Sequence, residues 1–554
     1  MGETSPERSE HLTAHSMAAR QREISVSEFF LKNRHLLGFD TPSKALVTTV
    51  KEAVDNALDA CEDAGILPEI RVKISNRHDI FRVAVEDNGP GIVENQIARI
   101  FGKLLYGSKF HKLSQSRGQQ GMGISAAGMY AQLTTGKPMR ILSRVAGEEL
   151  AWELLVSIDT KKNQPDIHKK RQAEWDRPHG TRVAAEMTGR YEKGPRSVET
   201  YLKQTAIANP HVTIVYENPH KELTRFERSV EKLPRRPKEI KPHPDGIELG
   251  RLIQMLSSTP SKTLLHFLED EFCRVGRTTA RKIIEQAGKR LSERSYPKHV
   301  AHAQATALHR ALQTTQISAP PTTCIAPIGE PTLLEGLRKE LPADFYIVTT
   351  RPPSVYRGNP FVVEVGIAYG RPGGAGLEVD EAGHIQKTKK NLRASAEPAA
   401  VRADNSARLL RFANRVPLLY QQSGCAITKS VIQTNWRAYG LRQAKGGLPN
   451  APMAILVHIA SVWVPYTSES KEAIASYPEI LKEIKLGLQQ CGRQLATRLR
   501  RETHLQQEFD KRAYIEKFLP HIADAMQHIL KLEDDERDLA VKQLDEILHK
   551  SRSK

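Results

Sequence analysis

Four short motifs follow one another along the first third of the chain, and they constrain its fold more than any other sequence feature. The first is ExxxN, formed by Glu52 and Asn56, within a run whose apolar residues recur every three or four positions. This spacing predicts an amphipathic helix, with Thr41 as its cap and Gly65 as its stop. Residues four apart share a helix face and can hold a metal and a water between them, although a solvated acidic face has the same pattern.

The second motif, DxGxG, begins where a predicted strand ends. Two strand-like runs, 69–75 and 80–87, follow the helix, and the second ends at Asp87. A carboxylate at this position can accept a hydrogen bond from an exocyclic amine, while Gly89 and Gly91 let the backbone approach a flat ring. The motif is common in turns and is weak evidence alone.

The third motif is a glycine-rich GxxGxG formed by Gly118, Gly121 and Gly123 before a predicted helix. Free N–H groups and the helix dipole favour phosphate there. A Rossmann fingerprint has the reverse order of glycines directly after a strand, and the segment TTGKP lacks the Ser or Thr of a P-loop, so a flexible lid fits better. The fourth motif, Gly180 followed by Thr181, begins a strand and supplies a hydroxyl.

In this order and spacing the four motifs resemble the Bergerat-fold ATPases, the group of gyrase, MutL-type mismatch-repair proteins, a large heat-shock chaperone and histidine kinases. The resemblance implies an α/β (α+β) sandwich that binds ATP and Mg²⁺. Glu52 would be the general base, Asn56 the Mg²⁺ ligand and Asp87 the adenine reader, assisted by Thr181. The lid residues implied to wrap the phosphates are Gly118, Gln119, Gln120, Gly121, Met122, Gly123, Ile124 and Ser125.

Longer stretches resemble one branch of that group, the B subunits of DNA topoisomerase VI, from about residue 24 to about residue 500. These stretches are FFLKNRHLLGFDTPSKALVTTVKEAVDNALDACEDAGILPEI, GKLLYGSKFHKLSQSRGQQGMGISAAGMYAQLTTGKP, VGRTTARKI, RFANRVPLLY and QAKGGLPNAPMAILVHIASVWVPYTSESKEAIA. The resemblance implies that Lys445 is the switch lysine of a transducer domain and that Ser108 and Lys109 contact the nucleotide. Considered alone, a lysine beside Gly446 and Gly447 can reach a γ-phosphate, but without the resemblance a solvent-facing lysine is the favoured interpretation.

A chain of 554 residues is too long for one hydrophobic core, so we expect several domains. The predicted order is a flexible N-terminal arm, a Bergerat-fold (GHKL) ATPase domain, a helical helix-two-turn-helix insert, an α/β transducer domain after a prolyl linker, and C-terminal helices. Their predicted bounds are 1–22, 23–221, 222–316, 317–475 and 476–554.

The charge balance favours a polyanionic partner. With 82 Lys and Arg against 64 Asp and Glu, the formal net charge is +18. Double-stranded DNA, RNA or an anionic membrane surface fits this excess, and so does a merely solvated basic surface. For the predicted turn of the helical insert, where basic residues cluster around Gly276, contact with DNA phosphates and a solvated surface both stay open. These residues are Arg274, Arg277, Arg281 and Lys282.

The five cysteines lack any CxxC pair and favour a reducing cytosol, and the longest apolar run is too short to span a bilayer. We therefore expect a cytoplasmic chain, and the resemblance implies that it is associated with the nucleoid. No tyrosine stands in a recognisable cleavage context. The family implies an ATP-hydrolysing type II DNA topoisomerase in which a topoisomerase VI A subunit cleaves DNA, in an A2B2 heterotetramer whose B subunits dimerise on ATP. The alternative is an ATP-gated dimeric clamp without a DNA-cleaving partner. A histidine kinase is disfavoured because no transmembrane segment or phospho-acceptor helix precedes Glu52.

Overall fold

A computed structural model describes residues 14–19, 21, 24–109, 112–118, 121–370, 376–379, 385–388, 407–531 and 533–550 of the chain. The described residues divide into two units. The first is drawn from 1–110, 118–192 and 215–224, and the second from 111–117, 193–214 and 225–554. Most of the predicted N-terminal arm, 1–22, lies outside the described residues, and its described part contains one helix, Ala14–Ala19.

The first unit consists of helices and one large sheet. Helices α1 to α5 are Ala14–Ala19, Val26–Lys32, Pro42–Ala64, Glu94–Gly102 and Gly123–Thr135. Strands β1 to β8 are Glu69–Arg77, Ile80–Glu86, Met139–Arg144, Ala151–Asp159, Gln164–Ala173, Gly180–Thr188, Thr213–Glu217 and Leu223–Phe226. The sheet has the order β5-β4-β3-β6-β2-β1-β7-β8, and the pairs from β5 to β1 are antiparallel.

Helix α3 has the cap and the stop that the sequence predicts. The Thr41 hydroxyl accepts a hydrogen bond from the Lys44 N–H at 3.3 Å, and Gly65 ends the helix with φ +75°. A left-handed residue at this position favours glycine because a Cβ is strained there. The face of α3 that packs on the sheet and on α5 is apolar and buried. It includes Leu46, Val50, Val54, Leu58 and Cys61.

The sheet buries one face, as the alternating apolar residues of its strands require. In the register of β1 and β2, Val72 lies opposite Val85 and Ile74 opposite Val83, and all four are buried. Helices α3, α4 and α5 pack against the sheet. The predicted sandwich of helices on a sheet is therefore confirmed.

The second unit contains the remaining helices and a mixed sheet. Helices α6 to α14 are Val198–Ala208, Leu249–Ser258, Leu264–Glu271, Arg277–Ala287, His302–Thr314, Glu330–Glu340, Ala426–Gln433, Pro478–Leu530 and Asp534–Lys550. Strands β9 to β18 are Phe345–Thr350, Ser354–Tyr356, Asn359–Tyr369, Gly376–Val379, Ile385–Thr388, Arg408–Ala413, Val416–Pro417, Arg442–Gln443, Pro449–Asn450 and Met453–Ser461.

Helices α7 to α10 form a small helical module with its own core. The core includes Leu252, Phe267, Ile283 and Leu308, all fully buried. The predicted turn joins α8 to α9, and there Arg274 adopts a left-handed conformation with φ +61°. The space around a Cβ at Gly276 is open among the described residues, so this glycine makes no close backbone approach within the chain.

The mixed sheet of the second unit has the order β10-β11-β18-β14-β15, and β9 also pairs with β11. Its centre holds an unusual polar contact, since Glu364 of β11 and His458 of β18 are both fully buried, with 2.7 Å between Oε2 and Nδ1. Glu364 also accepts hydrogen bonds from the Ile328 and Gly329 N–H groups at 2.8 and 2.6 Å. The buried carboxylate thereby fixes the start of α11, because a helix N-terminus has free N–H groups.

Residues 112–117 belong to the second unit and are held there by buried polar groups. The Arg117 guanidinium donates to Asn209 Oδ1 at 2.6 Å, and the Lys471 ammonium donates to the Arg117 carbonyl at 3.1 Å. Asn414 Nδ2 donates to the Ser116 carbonyl at 3.1 Å. The segment that directly precedes Gly118 in the chain is thus fixed to the second unit.

All five cysteines are buried free thiols. Across the part of the chain that the structure describes, helices that combine the length and the apolar character needed to cross a bilayer are absent.

Candidate nucleotide site

Asp87 lies at the end of β2 and is fixed by backbone hydrogen bonds. Its Oδ1 accepts from the N–H of Gly89 at 2.8 Å and from that of Thr181 at 3.1 Å. Its own N–H donates to the Thr181 carbonyl at 2.9 Å. Among the described residues both hydrogen bonds to the carboxylate end on Oδ1, so Oδ2 is the oxygen left to accept from a ligand.

Two glycines of the predicted motifs permit the close backbone contacts around Asp87. A Cβ at Gly180, where φ is +137°, would lie 2.2 Å from the Asp87 carbonyl oxygen. A Cβ at Gly91, where φ is +77°, would lie 2.1 Å from the Arg144 carbonyl oxygen. Any larger residue at either position would push the DxGxG loop away from β6 or β3.

Burial perturbs the Asp87 carboxyl group. Loss of hydration raises its pKa to about 6, against the lowering effect of the Gly89 and Thr181 N–H groups and of Arg177. At neutral pH the side chain is an ionised, buried acceptor. Perturbed carboxylates of this kind cluster at functional sites.

The Thr181 hydroxyl contacts a residue that sequence analysis missed. Thr181 Oγ1 lies 3.0 Å from Oγ of Ser143, which is fully buried and also accepts from the Ile92 N–H at 2.9 Å. Ser143 therefore joins the two loops around Asp87. A lone serine inside a strand carries no sequence signal for this position.

Glu52 lies on α3 against the start of α5. Its side chain is 16% exposed, and its Oε1 lies 3.4 Å from Lys51 Nζ. A Cβ at Gly123 would lie only 1.7 Å from Glu52 Oε2, so the third glycine of GxxGxG makes room for the carboxylate. The structure thereby brings the first and third predicted motifs together.

Asn56 lies one turn further along α3 and is exposed. A Cβ at Gly118 would be 3.7 Å from Asn56 Oδ1, so the amide lies beside the first glycine of the lid. Among the described residues no cluster of three His, Cys, Asp or Glu side chains could hold a metal. An exposed amide oxygen nevertheless suits Mg²⁺, which keeps waters and phosphate oxygens as its main ligands in nucleotide sites.

Helix α3 connects the two ends of this site. Near its C-terminus, the Cys61 thiol lies 3.4 Å from a Cβ built at Gly89 and 3.5 Å from Asn88 Oδ1. Glu52 stands nine residues earlier, roughly 14 Å along the helix axis. At one end of the site the Asp87 carboxylate can accept a hydrogen bond from an amine. At the other end Glu52 lies beside the N-terminus of α5. This arrangement suits an extended nucleoside triphosphate.

The lid region is described in part. Gln119 and Gln120 lie outside the described residues. Gly121 has φ +56°, and Met122 is buried directly before α5. Among the described residues no side chain caps the start of α5. Its first N–H groups, at Gly123, Ile124 and Ser125, are therefore oriented for an anion.

Ser125 and Lys109 already have partners within the first unit. The Ser125 hydroxyl donates to the carbonyls of Ile100 and Lys103, at 3.1 and 3.0 Å, which ties α5 to the end of α4. Lys109 Nζ lies 2.6 Å from Asp59 Oδ2. Ser108, the other predicted contact in this segment, is exposed.

Lys445 belongs to the second unit and lies in the turn between β16 and β17. Its side chain is exposed, and Gly446 adopts φ +73° beside it. The Gly447 N–H donates to the Ala444 carbonyl at 3.1 Å and closes the turn. An exposed lysine on a closed turn matches what a switch lysine requires, and its role stays a prediction.

Comparison with known proteins agrees with this geometry. Residues 41–172 match the family model of histidine kinase-, DNA gyrase B- and HSP90-like ATPases, and this range contains three of the four predicted motifs, all but the final Gly-Thr pair. The fold and the site thus define a Bergerat-fold ATPase, as predicted. Residues 320–511 match a second model, described as the topoisomerase VI B subunit transducer.

Curated relatives identify the branch. The B subunit of type 2 DNA topoisomerase 6 from Archaeoglobus fulgidus is 46% identical over 537 residues, which cover 97% of this chain and 84% of the relative. The protein of the same name from Methanococcoides burtonii is 47% identical over 528 residues, covering 95% and 79%. The chain belongs to the family of type 2 DNA topoisomerase 6 B subunits, and the predicted family is confirmed.

Proposed function

We propose that this chain is the ATP-hydrolysing B subunit of a topoisomerase VI and that ATP binding drives its dimerisation and the passage of one DNA duplex through another. The observation that carries the proposal is the arrangement of two carboxylates along α3. Asp87 is fixed beside the C-terminal part of the helix, and Glu52 lies further toward its N-terminus, against the start of α5. The family membership of the chain supports the same conclusion.

In this proposal the nucleotide lies along α3. Asp87 Oδ2 accepts a hydrogen bond from the adenine amine, and the N–H groups of residues 121 to 125 surround the phosphates. Backbone N–H groups stabilise the negative charge of the transferred phosphoryl group without reorganisation.

Glu52 acts as the general base that orients and polarises the attacking water. Its packing against Gly123 supports this role because it holds the carboxylate at the phosphate end of the site. Mg²⁺, when bound with ATP, neutralises charge on the phosphates, and Asn56 is the residue that would hold it.

Lys445 links nucleotide occupancy to the transducer. A lysine ammonium is a point charge that stabilises a γ-phosphate, and the loss of that phosphate after hydrolysis releases the contact. The anchoring of residues 112–117 within the second unit supports such coupling, because this segment leads directly into the lid.

DNA and a DNA-cleaving A subunit complete the proposed assembly, an A2B2 heterotetramer in the cytoplasm, associated with the nucleoid. The formal charge of +18 supports a DNA partner. All four basic residues at the predicted turn of the helical module are exposed, but Arg281 pairs with Glu293 at 3.1 Å and Arg274 donates to the Ala319 carbonyl at 3.0 Å. Arg277 and Lys282 are thus the stronger candidates for phosphate contacts.

Sedimentation equilibrium of the purified chain tests the nucleotide-driven dimer. We expect a monomer without nucleotide and a dimer with a non-hydrolysable ATP analogue and Mg²⁺. Asp87→Asn should stay monomeric, whereas Asp79→Asn, at an exposed carboxylate in the turn between β1 and β2 of the same unit, should dimerise like the wild type. A wild-type chain that is monomeric in both conditions would contradict the proposal.

A further inference from the structure

The residue before the adenine-reading Asp87 is a second buried carboxylate, Glu86. It is 6% exposed and is surrounded by three arginines. Arg177 Nε donates to its Oε1 from a side chain that is only 13% exposed. Arg182 Nε donates to Oε2 at 2.6 Å, but the Arg182 side chain is 41% exposed. Arg71 Nη1 lies 3.9 Å from Oε1, and the Arg71 side chain is 60% exposed. Arg177 is therefore the most buried of the three counter-ions.

Arg177 also belongs to the segment that supports the Asp87 loop. Two residues later, His179 Nδ1 lies 2.7 Å from the Gly89 carbonyl oxygen. The Arg177 carbonyl in turn accepts from Arg144 Nη1 at 3.1 Å. The segment between β5 and β6 thus contacts the end of β2 at Glu86 and the DxGxG loop at Gly89, and the ion pair of Arg177 with Glu86 helps to fix its position.

We propose that Arg177 is a positioning residue for adenine recognition: its ion pair with Glu86 keeps the neighbouring Asp87 carboxylate ionised and oriented with Oδ2 toward the base. This inference rests on the proposed function of Asp87 as the adenine acceptor. It assigns a role to a residue that lies outside all four sequence motifs.

The electrostatic reason is that two residues adjacent in the chain, Glu86 and Asp87, are both buried carboxylates. Neighbouring like charges disfavour ionisation, and a buried counter-ion offsets that effect. Burial raises the pKa of Asp87 to about 6 and Glu86 adds a smaller increase, whereas the Gly89 and Thr181 N–H groups and, after them, the Arg177 charge lower it. An ionised Asp87 accepts from the adenine amine, whereas a protonated one offers a donor instead, so nucleotide affinity should fall below about pH 6.

Other groups around Asp87 carry less of this effect. Helix α3 contributes the Cys61 thiol, whose pKa is raised by burial and by Asp87 itself, so it is neutral at physiological pH. The segment before β6 contributes His179, which contacts a backbone carbonyl. Strands β1 and β6 contribute Arg71 and Arg182, both more exposed than Arg177 and therefore better screened by water.

Equilibrium binding of a non-hydrolysable ATP analogue, measured from about pH 5 to about pH 8.5, tests the proposal. Removing a buried counter-ion raises a carboxyl pKa by about one unit or more. We expect Arg177→Met to move the pH midpoint of binding from about 6 to about 7, which weakens binding about fivefold at pH 6 and changes it little at pH 8.5. Protonation of the ATP analogue itself affects all variants equally, so it does not contribute to the difference in midpoint between them.

Three further variants separate charge from structure. Arg71→Met, which removes an exposed cation near the same carboxylate, should keep the wild-type midpoint. Arg177→Lys keeps the positive charge and should therefore keep the pH midpoint of binding close to the wild-type value. The double variant Arg177→Met with Glu86→Gln should bring the midpoint part of the way back toward 6, because the like charge is gone while the larger effect of Arg177 is still missing. The double variant also serves if Arg177→Met alone does not fold.

An unchanged midpoint in Arg177→Met, or an equal loss of affinity at every pH, would overturn the inference and leave the proposed function intact. A double variant with the midpoint of Arg177→Met would overturn it as well. Nucleotide binding by Asp87→Asn with wild-type affinity would instead overturn the role of Asp87 on which the inference rests.

Discussion

Replacement of Glu52 by Gln should reduce ATP turnover by roughly 10²- to 10⁴-fold while leaving nucleotide binding nearly unchanged. Gln keeps the size of the side chain and its contact with Gly123, so the start of α5 keeps its position. It cannot accept a proton from water, and only the chemical step is affected. A loss in kcat without a matching loss in binding indicates an interaction made only in the transition state.

Steady-state ATPase assays and direct binding of a non-hydrolysable analogue measure the two quantities separately. Glu149→Gln is the matched control, because Glu149 is an exposed carboxylate of the same unit and far from α3 in the chain. Retention of full turnover in Glu52→Gln would contradict its assignment as the base.

Replacement of Asp87 by Asn should abolish measurable nucleotide binding and at the same time stabilise the folded protein. The new Oδ1 can still accept from the Gly89 and Thr181 N–H groups, which places the amide Nδ2 where Oδ2 was. A donor then faces the adenine amine, which is also a donor. A site that leaves buried polar groups unpaired loses affinity by about 10⁴-fold or more.

The gain in stability follows from the raised pKa of Asp87. In the folded state Asp87 keeps its proton up to about pH 6, whereas the ordinary pKa of an aspartate is 3.8. Ionising this residue therefore costs folding free energy, and the full cost is reached above pH 6. In the wild type this cost is absent below the unfolded pKa and grows as the pH rises to the folded pKa. An asparagine has no such cost. The free energy of unfolding of Asp87→Asn at pH 7 should therefore exceed that of the wild type by on the order of 1–3 kcal/mol.

Thermal unfolding and analogue binding, measured on the same preparation, check both effects of Asp87→Asn. The wild type should also lose stability between about pH 4 and about pH 6 at this residue, whereas the variant should lack that component. A variant that is destabilised and still binds nucleotide would contradict the assignment on both counts.

Local signals made the elements of the site predictable. Helix α3 begins and ends where a threonine cap and a left-handed glycine are expected, at Thr41 and Gly65. The DxGxG motif follows β2 directly, and α5 begins at Gly123. Each of these features depends on residues within a few positions of one another, which is the range over which capping and periodicity act.

Contacts between distant segments were not predictable from the same signals. Ser143 and Arg177 reach the Asp87 loop from other parts of the chain, and neither residue lies in a recognisable motif. The hydrogen bond of Arg117 to Asn209 likewise depends on tertiary packing. A single sequence contains no periodicity that links such positions, so only the folded chain reveals them.

The domain boundaries illustrate the same limit. The sequence predicts that the transducer ends at 475, where strand-like runs give way to helical ones. The matched transducer model continues to residue 511, and the first turns of α13 contribute Ile480, Ile484 and Leu488 to the core beside the sheet. A change in secondary structure therefore need not mark the end of a core, and the predicted bounds stay predictions.

Relaxation of supercoiled plasmid by the chain together with an A subunit is the decisive test of whether ATP drives strand passage. We predict relaxation that requires ATP and Mg²⁺, is lost in Asp87→Asn and is strongly slowed in Glu52→Gln. Strand passage that proceeds equally without ATP, or at the wild-type rate in Asp87→Asn, would show that ATP binding at this site does not drive the gate.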